Sequence, residues 1–458
     1  MNSINATIEG MSRKGTLAGI LSAYAYAALL VAGPWIFTVL GLAFLSAVPC
    51  SGSCTELTTF RSIIIYDSMF ALIVSSPLAF IGGRYVSEQV RSGKADSVFY
   101  VLVLCLTIFG ATSLLFAGPF YLFATTLEPI EKVLSVQALA LIGFSWLLIP
   151  FVAAIRAYRT VLLGFGAGAV MMISASYLLP ESQTGSLLLA FNASFTVINL
   201  VLLGALARRF DTRIVVDREL QSKLMRNWEI PAAGAIYALG LWADKLIMWY
   251  SGSADGLLVA GALRTMPSYD TAMFWSQLAS IPVIAVFFVH VETRFSELVR
   301  SYHARMQQRA SLRELNEIAH AIRNYVLSSM FNLFIATALV AAVMTLLSIV
   351  FMTALGLRPP YMRILRVSNC AMVFYTNAMF CFTFLLHLDL RRPALQIVSV
   401  FLALNCVLTV MFLWLGPDFH GYGAMIAATI SLLVGFSLIL KELSWLHYHA
   451  FVTNNPSL

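Results

Sequence analysis

The sequence predicts an all-α polytopic membrane protein, and three observations carry that expectation. Of its 458 residues, 60% are hydrophobic and only 11% charged, against about a quarter charged in ordinary soluble domains. The apolar residues come in runs of about 20, the length at which a helix crosses roughly 30 Å of hydrocarbon. The basic residues, which set the formal charge at +7, gather in the loops of one side, as orientation rules require, and so do not signal nucleic acid. A mean hydropathy of +0.83 agrees.

The runs place about twelve spans, near residues 17–48, 60–82, 98–124, 133–155, 160–180, 184–207, 229–251, 266–291, 325–356, 361–387, 393–416 and 421–446. An even number puts both termini on one side. Arg13, Lys14, Arg84, Arg91, Arg156, Arg159, Arg208, Arg209, Arg391, Arg392 and Lys441 fall on that side, while the opposite loops hold little beyond Lys132 and Arg358. Both termini are therefore predicted to be cytoplasmic. Arg13-Lys14 followed by Leu17–Val48 is too long for a signal sequence and reads as a retained first span. Within it, Gly33-Pro34-Trp35 removes one backbone hydrogen bond and bends the helix, which suits either a flexing gate or simple packing.

Two long loops lie on the predicted cytoplasmic side. The first, 208–228, carries both charge signs and divides the chain into residues 1–207 and 229–458, with six spans each. It is the natural hinge between halves, in the manner of transporters built from repeats. The second runs from Thr293 to Asn324. Phe295, Leu298, Val299, Tyr302 and Met306 form one apolar stripe, and Leu315, Ile318, Ala319 and Ile322 another. With Arg300, Arg305, Arg309 and Arg313 on the polar side, this is an amphipathic helix pair. It would rest on lipid headgroups or dock a cytoplasmic partner.

The charged residues inside the spans locate a site. The span from Glu229 to Tyr250 carries Asp244 and Lys245 deep inside, where a charge costs at least about 2.5 kcal/mol. Neighbours on a helix point about 100° apart, so the two should look to different partners. Trp242 and Trp249 share the face of Lys245 and could hold its ammonium by cation–π contact. Two readings follow. Either Lys245 snorkels outward while Asp244 pairs with another helix, or both line a wet central cavity around which the other spans are arranged.

Three further spans contribute. In the second, Arg61, Ser68 and Ser75 form a polar stripe and Asp67 lies on another face. In the tenth, Arg363, Arg366, Asn369, Thr376 and Asn377 share a sector of roughly 140°. Arg264 and Asp270 open the eighth. The cations outnumber the acids, and planar guanidinium suits phosphate or carboxylate. Interhelical salt bridges with no ligand, or a proton or sodium role for Asp67 or Asp244, are the alternatives.

Cys50 and Cys54 flank a Ser-Gly-Ser loop on the predicted outer side and could form a disulfide, whereas Cys105, Cys370, Cys381 and Cys406 lie in apolar spans as packing residues. There is no Gly-x-x-x-x-Gly-Lys-Ser/Thr phosphate loop. His447 and His449 are too sparse for zinc. No metal, cofactor or catalytic constellation is expected.

The run from Leu17 to Ile36, Leu-Ala-Gly-Ile-Leu-Ser-Ala-Tyr-Ala-Tyr-Ala-Ala-Leu-Leu-Val-Ala-Gly-Pro-Trp-Ile, closely resembles the first span of the PelG family, inner-membrane transporters of the Pel exopolysaccharide system. Arg84-Tyr-Val-Ser-Glu-Gln, Leu241-Trp-Ala-Asp-Lys-Leu-Ile-Met-Trp and the layout with a long loop after the eighth span are similar as well. One departure is that Ile8-Glu9-Gly10-Met11-Ser12-Arg13-Lys14 keeps only the basic end of the family's opening segment. The resemblance implies a member of the multidrug/oligosaccharidyl-lipid/polysaccharide flippase superfamily, with two six-helix bundles around a central cavity. It implies carriage of an N-acetylgalactosamine-rich polymer across the bacterial inner membrane, a role in biofilm formation, and work beside a cytoplasmic glycosyltransferase and a membrane-bound cyclic-di-GMP receptor. A non-transporting scaffold that recruits the synthase, or a lipid-linked oligosaccharide flippase, are the competing functions.

Overall fold

The computed structural model describes residues 36–39, 41, 44–45, 55–93, 96–155, 157–178, 183–213, 215–216, 227–355, 359–448 and 451. Among them, 11 helices are long and apolar enough to cross a membrane, standing where the second to twelfth spans are expected. Most of the first span, Gly33 and Pro34 with it, lies outside the described residues, as do Cys50, Cys54 and residues 217–226 of the predicted linker. The chain divides into two compact units. Among the described residues, one holds those up to Trp242 together with Trp249–Pro267; the other holds Ala243–Met248 and those from Ser268.

In the first unit, α1 (Thr55–Ser92) is followed by α2 (Val98–Pro119), which ends in a π-helical turn, Phe120–Ala124. Then come α3 (Pro129–Ala154), α4 (Tyr158–Leu178), α5 (Thr184–Arg209) and most of α6 (Glu229–Trp249). Helix α3 starts where its sequence dictates. Pro129 occupies the first turn, whose N–H needs no partner, and Glu131 returns its carboxylate to the Glu128 N–H at 3.1 Å.

Asparagines join α3 to α5. Asn192 Nδ2 donates to the Leu134 carbonyl at 2.9 Å and Asn199 Nδ2 to that of Leu141 at 2.8 Å, while Ser145 donates to Asn199 Oδ1 at 2.8 Å. The partners advance together along both helices, so α3 and α5 run parallel, as two spans crossing in the same sense must. Such bonds hold helices together where lipid supplies no hydrophobic drive between them. The outer faces are what lipid accepts: Leu114, Leu115 and Phe116 of α2 are exposed side by side.

After α6 the chain forms a hairpin, β1 (Leu257–Ala260) antiparallel to β2 (Leu263–Thr265), with Leu258 opposite Arg264. Hydrophobic periodicity carries no sign of it, because strands this short are below what an alternating pattern can signal. Gly261 turns the chain at φ +64°, and a Cβ there would come within 2.5 Å of the Ala124 carbonyl, to which Ala262 N donates at 2.7 Å.

The second unit contains α7 (Pro267–His290), a π-helical turn (Val291–Phe295), α8 (Ser296–Gln307), the 44-residue α9 (Leu312–Leu355), α10 (Pro359–His387), α11 (Arg391–Leu415), α12 (Tyr422–Ser444) and a last turn, α13 (Leu446–Tyr448). The predicted amphipathic pair is α8 and the first turns of α9: Phe295, Tyr302, Leu315 and Ile322 are buried while Arg300, Arg305, Arg309 and Arg313 are exposed. Further along α9, the exposed residues are Phe331, Leu339, Val343, Leu346 and Val350, a lipid-facing stripe. Helices α11 and α12 cross closely because Gly423 leaves room; a Cβ there would meet the Thr409 backbone N at 2.6 Å.

Candidate functional site

Asp244 is the centre of a buried polar cluster in the second unit. Its side chain leaves α6 and is met by Tyr269 in the first turn of α7, whose hydroxyl donates to Oδ2 at 2.7 Å. Asn405 of α11 reaches Oδ1 at 3.5 Å through its amide, and Thr409, one turn on, donates to Asn405 Oδ1 at 3.3 Å. Lys245 Nζ stands 3.6 Å from Asp244 Oδ1. Asp244 is 3% exposed and Lys245 7%. The expectation that these two neighbours would not serve each other is corrected here. The four-carbon stem of lysine lets its ammonium fold back across the 100° that separates their Cα–Cβ directions.

The arrangement has chemical consequences. A buried carboxylate needs its lone pairs met, and this one is met by a hydroxyl, an amide and an ammonium from three separate stretches of chain. The hydroxyl bond is short; the amide and ammonium contacts are long, at the edge of bonding geometry. Asp270, adjacent to Tyr269, is half-buried.

The other predicted residues divide. In the first unit, Asp67 is fully buried on α1 and accepts the Tyr121 hydroxyl at 2.6 Å, whereas Arg61 is exposed. Trp249 is buried and stacked on Tyr66 at 4.7 Å, with Trp242 6.2 Å away. Arg264 is exposed and belongs to β2, not to the start of the eighth span.

In the second unit the polar sector of α10 splits in two. Arg363, Arg366 and Cys370 form an exposed stripe, with Arg363 paired to Asp418. Asn369, Thr376 and Asn377 are buried, and Asn369 and Thr376 line a small cavity within the unit together with Ser276, Ser280 and Thr337. There Ser276 donates to Asn369 Oδ1 at 2.8 Å, and Asn377 Nδ2 to Thr337 at 2.8 Å. A sector of roughly 140° is too wide for one environment on a packed helix, so its edges go to different surroundings. Cys105 and Cys381 are buried as expected, but Cys370 is exposed.

Two residues that the sequence did not single out belong to these networks. Tyr269 and Asn405 lie on apolar helices at no distinctive spacing, and only packing brings them to Asp244. His447, too sparsely accompanied to bind zinc, has other partners. Tyr302 of α8 donates to its Nδ1 at 2.8 Å and its Nε2 donates to Asn316 of α9 at 2.7 Å. Burial pushes the Tyr302 hydroxyl above its ordinary range. Burial, with His320 nearby, holds His447 below the usual histidine value. Arg305 pairs with Glu314 at 3.5 Å and Arg313 with Glu317 at 3.5 Å, while Arg300 and Arg309 are exposed along the same rim.

The fold is similar to that of solved MATE and other MOP superfamily transporters. It is similar to a MATE transporter in its straight conformation, with a TM-score of 0.66 at 13% identity over 98% of this chain and 99% of that one. An outward-facing multidrug resistance MATE family transporter gives 0.63 at 15% identity, covering 92% and 96%. A MOP superfamily transporter from Pyrococcus furiosus, noted for the reverse polarity of its binding pocket, gives 0.63 at 14% identity, covering 92% and 96%. No curated protein matches the chain in sequence. The PelG family profile, described as "Putative exopolysaccharide Exporter (EPS-E)", matches residues 1–451. The chain therefore belongs to the PelG family of exopolysaccharide exporters, as the run from Leu17 to Ile36 led one to expect.

Proposed function

We propose that this protein carries an N-acetylgalactosamine-rich, Pel-type polysaccharide across the bacterial inner membrane, and that the glycan passes the Asp244–Lys245–Tyr269–Asn405 cluster. Family membership supports the substrate class and the fold supports transport. The observation that carries the role of the cluster is an acid and a base buried side by side inside an apolar span, the acid met by the Tyr269 hydroxyl at 2.7 Å and more distantly by Asn405 and Lys245, an expensive arrangement in a helix that only had to cross lipid. The exposed Arg363, Arg366 and Cys370 of α10 add a second polar stripe along the same route.

The partners on this reading are a cytoplasmic glycosyltransferase and a membrane-bound cyclic-di-GMP receptor, and the rim of Arg300, Arg305, Arg309 and Arg313 is the docking face. That rim also supports a second reading, a scaffold that recruits the synthase without transporting. Reconstitution with a defined glycan, followed by its appearance across the bilayer, separates the two. Asp244→Ala and Lys245→Ala should each abolish export while leaving membrane insertion intact; normal polymer secretion by both variants would remove the cluster from the path. Under the scaffold reading Arg305→Glu with Arg309→Glu abolishes secretion and the Asp244 variants do not. Cys370, alone among cysteines in a substituted chain, should react with a charged, membrane-impermeant thiol reagent; no reaction would place its stripe in lipid.

A further inference from the structure

The β1–β2 hairpin has the features of a surface made for lipid. Only residues 250–266 separate Trp249, the last residue of α6, from Pro267, the first of α7, so both ends of the hairpin are tied to membrane spans. It is also folded down on the helix ends of its own unit. Ala262 N donates to the Ala124 carbonyl at 2.7 Å. Tyr66 of α1 donates to the Arg264 carbonyl at 2.9 Å and accepts from Arg264 N at 3.2 Å, while Tyr250 donates to the Ala262 carbonyl at 2.8 Å.

One face of the hairpin is left open. Leu258 stands opposite Arg264 in the register, and cross-strand partners share a face. Leu258 is 62% exposed, and Arg264 is exposed with its guanidinium over the Tyr250 ring at 5.7 Å. Beside the Ala124 anchor, the last residues of α2's π-helical turn, Leu122 and Phe123, are 58% and 85% exposed. Exposed apolar residues of the hairpin and of the end of a membrane span thus belong to two segments joined at Ala124. In water exposed apolar residues so gathered are a liability. At a bilayer surface it is matched, since leucine reaches the acyl boundary, aromatic rings favour the headgroup level and arginine meets phosphate.

We propose that the hairpin is a lipid-binding element, with its Leu258–Arg264 face laid on the bilayer surface and the guanidinium on phospholipid phosphates. Tyr250 holds the flat of the guanidinium, which leaves its N–H edge to donate to phosphate oxygen. The basic-residue distribution of the sequence assigns this end of the spans to the outer leaflet. Arg264 then serves the membrane, not a substrate path, and this inference stands apart from the transport reading.

The test is a depth measurement on the full chain in phosphatidylcholine–phosphatidylglycerol vesicles. A spin label is placed by Leu258→Cys, and as an aqueous reference by Asp255→Cys, in a chain freed of its native cysteines. The label at 258 should be severalfold more accessible to oxygen, and less to a water-soluble nickel chelate, than the label at 255. Equal accessibilities would overturn the proposal, and so would occlusion from both reagents, the mark of a protein partner. Adding Arg264→Glu should raise nickel access at 258; no change would overturn the phosphate contact. Should the cysteine-free chain fail to fold, photoreactive benzoylphenylalanine in place of Leu258 in the native background gives the answer. A phospholipid adduct supports the seat and its absence overturns it.

Discussion

Asp67 and Asp244 are both buried within membrane helices, and each accepts a short bond from a buried tyrosine, Tyr121 at 2.6 Å and Tyr269 at 2.7 Å. Beyond that they differ. Asp244 also has Lys245 at 3.6 Å and Asn405 at 3.5 Å. Asp67 Oδ2 receives no hydrogen bond and no ion pair reaches the residue among the described residues. A countercharge offsets the loss of hydration that a buried carboxylate suffers, and a lone hydroxyl offsets only part of it. Burial of an acid in a span therefore does not define a site by itself. What it can do depends on the charge of its partners, and on that measure Asp244, with Lys245 beside it, is the candidate for the transport role proposed above, while Asp67 joins α1 to the end of α2. A third tyrosine pair, Tyr302 with His447, lies beyond the spans and shows the same chemistry where water is near.

The largest effect should come from splitting the Asp244–Lys245 pair. Asp244→Asn or Lys245→Met each leaves a buried charge without its opposite and should cost about 3–5 kcal/mol, read as thermal or denaturant unfolding in detergent. The double substitution should recover most of that loss; if it is as unstable as either single variant, the two residues are not coupled. Next, Tyr121→Phe and Tyr269→Phe each delete a hydrogen bond to a carboxyl, worth about 1.5–3 kcal/mol. The loss should be larger for Tyr121, because Asp67 keeps nothing in its place. Equal losses would erase the distinction drawn between the two acids. Asp67→Asn should be milder than Asp244→Asn, within about 1 kcal/mol of wild type, since no cation is stranded.

The smallest expected effect is at the aqueous pair. His447 sits below its ordinary value of 6.5 because of burial and then His320. The folded state thus favours the neutral ring, which accepts from Tyr302 and donates to Asn316. The sign follows: this contribution is present above the unfolded value and fades as pH falls from there through the lowered folded value. Hydrogen exchange over Ser296–Gln307, corrected for intrinsic rates, should therefore rise between pH 7 and mildly acidic conditions, and His447→Gln should flatten that rise. Unchanged pH dependence in the variant would remove His447 as its source.

Much of this was legible in the chain. Runs of about 20 apolar residues announce spans because a helix satisfies its own backbone wherever it lies in lipid. The amphipathic stripes of Phe295–Met306 and Leu315–Ile322 were readable for the same reason, since period and burial are both properties of one helix. Asp244 and Lys245 stood out through their cost in an apolar run. Arg264 was misplaced because a hairpin is pinned by contacts remote in sequence, with Ala124 and Tyr66, that no local pattern encodes. The α10 sector was read as one surface, yet packing sent Asn369 and Asn377 inward and left Arg366 in the open.

Composition, span length, the amphipathic stretch and the presence of charge at depth were thus decided by the sequence alone, because each depends on residues within a few turns of one helix. Which tyrosine serves which acid, which amide reaches Asp244, and where Arg264 and His447 find their partners were decided by tertiary structure. Hydrogen bonds and ion pairs act over about 3–4 Å, and helices distant in sequence must first be packed together before such a distance exists.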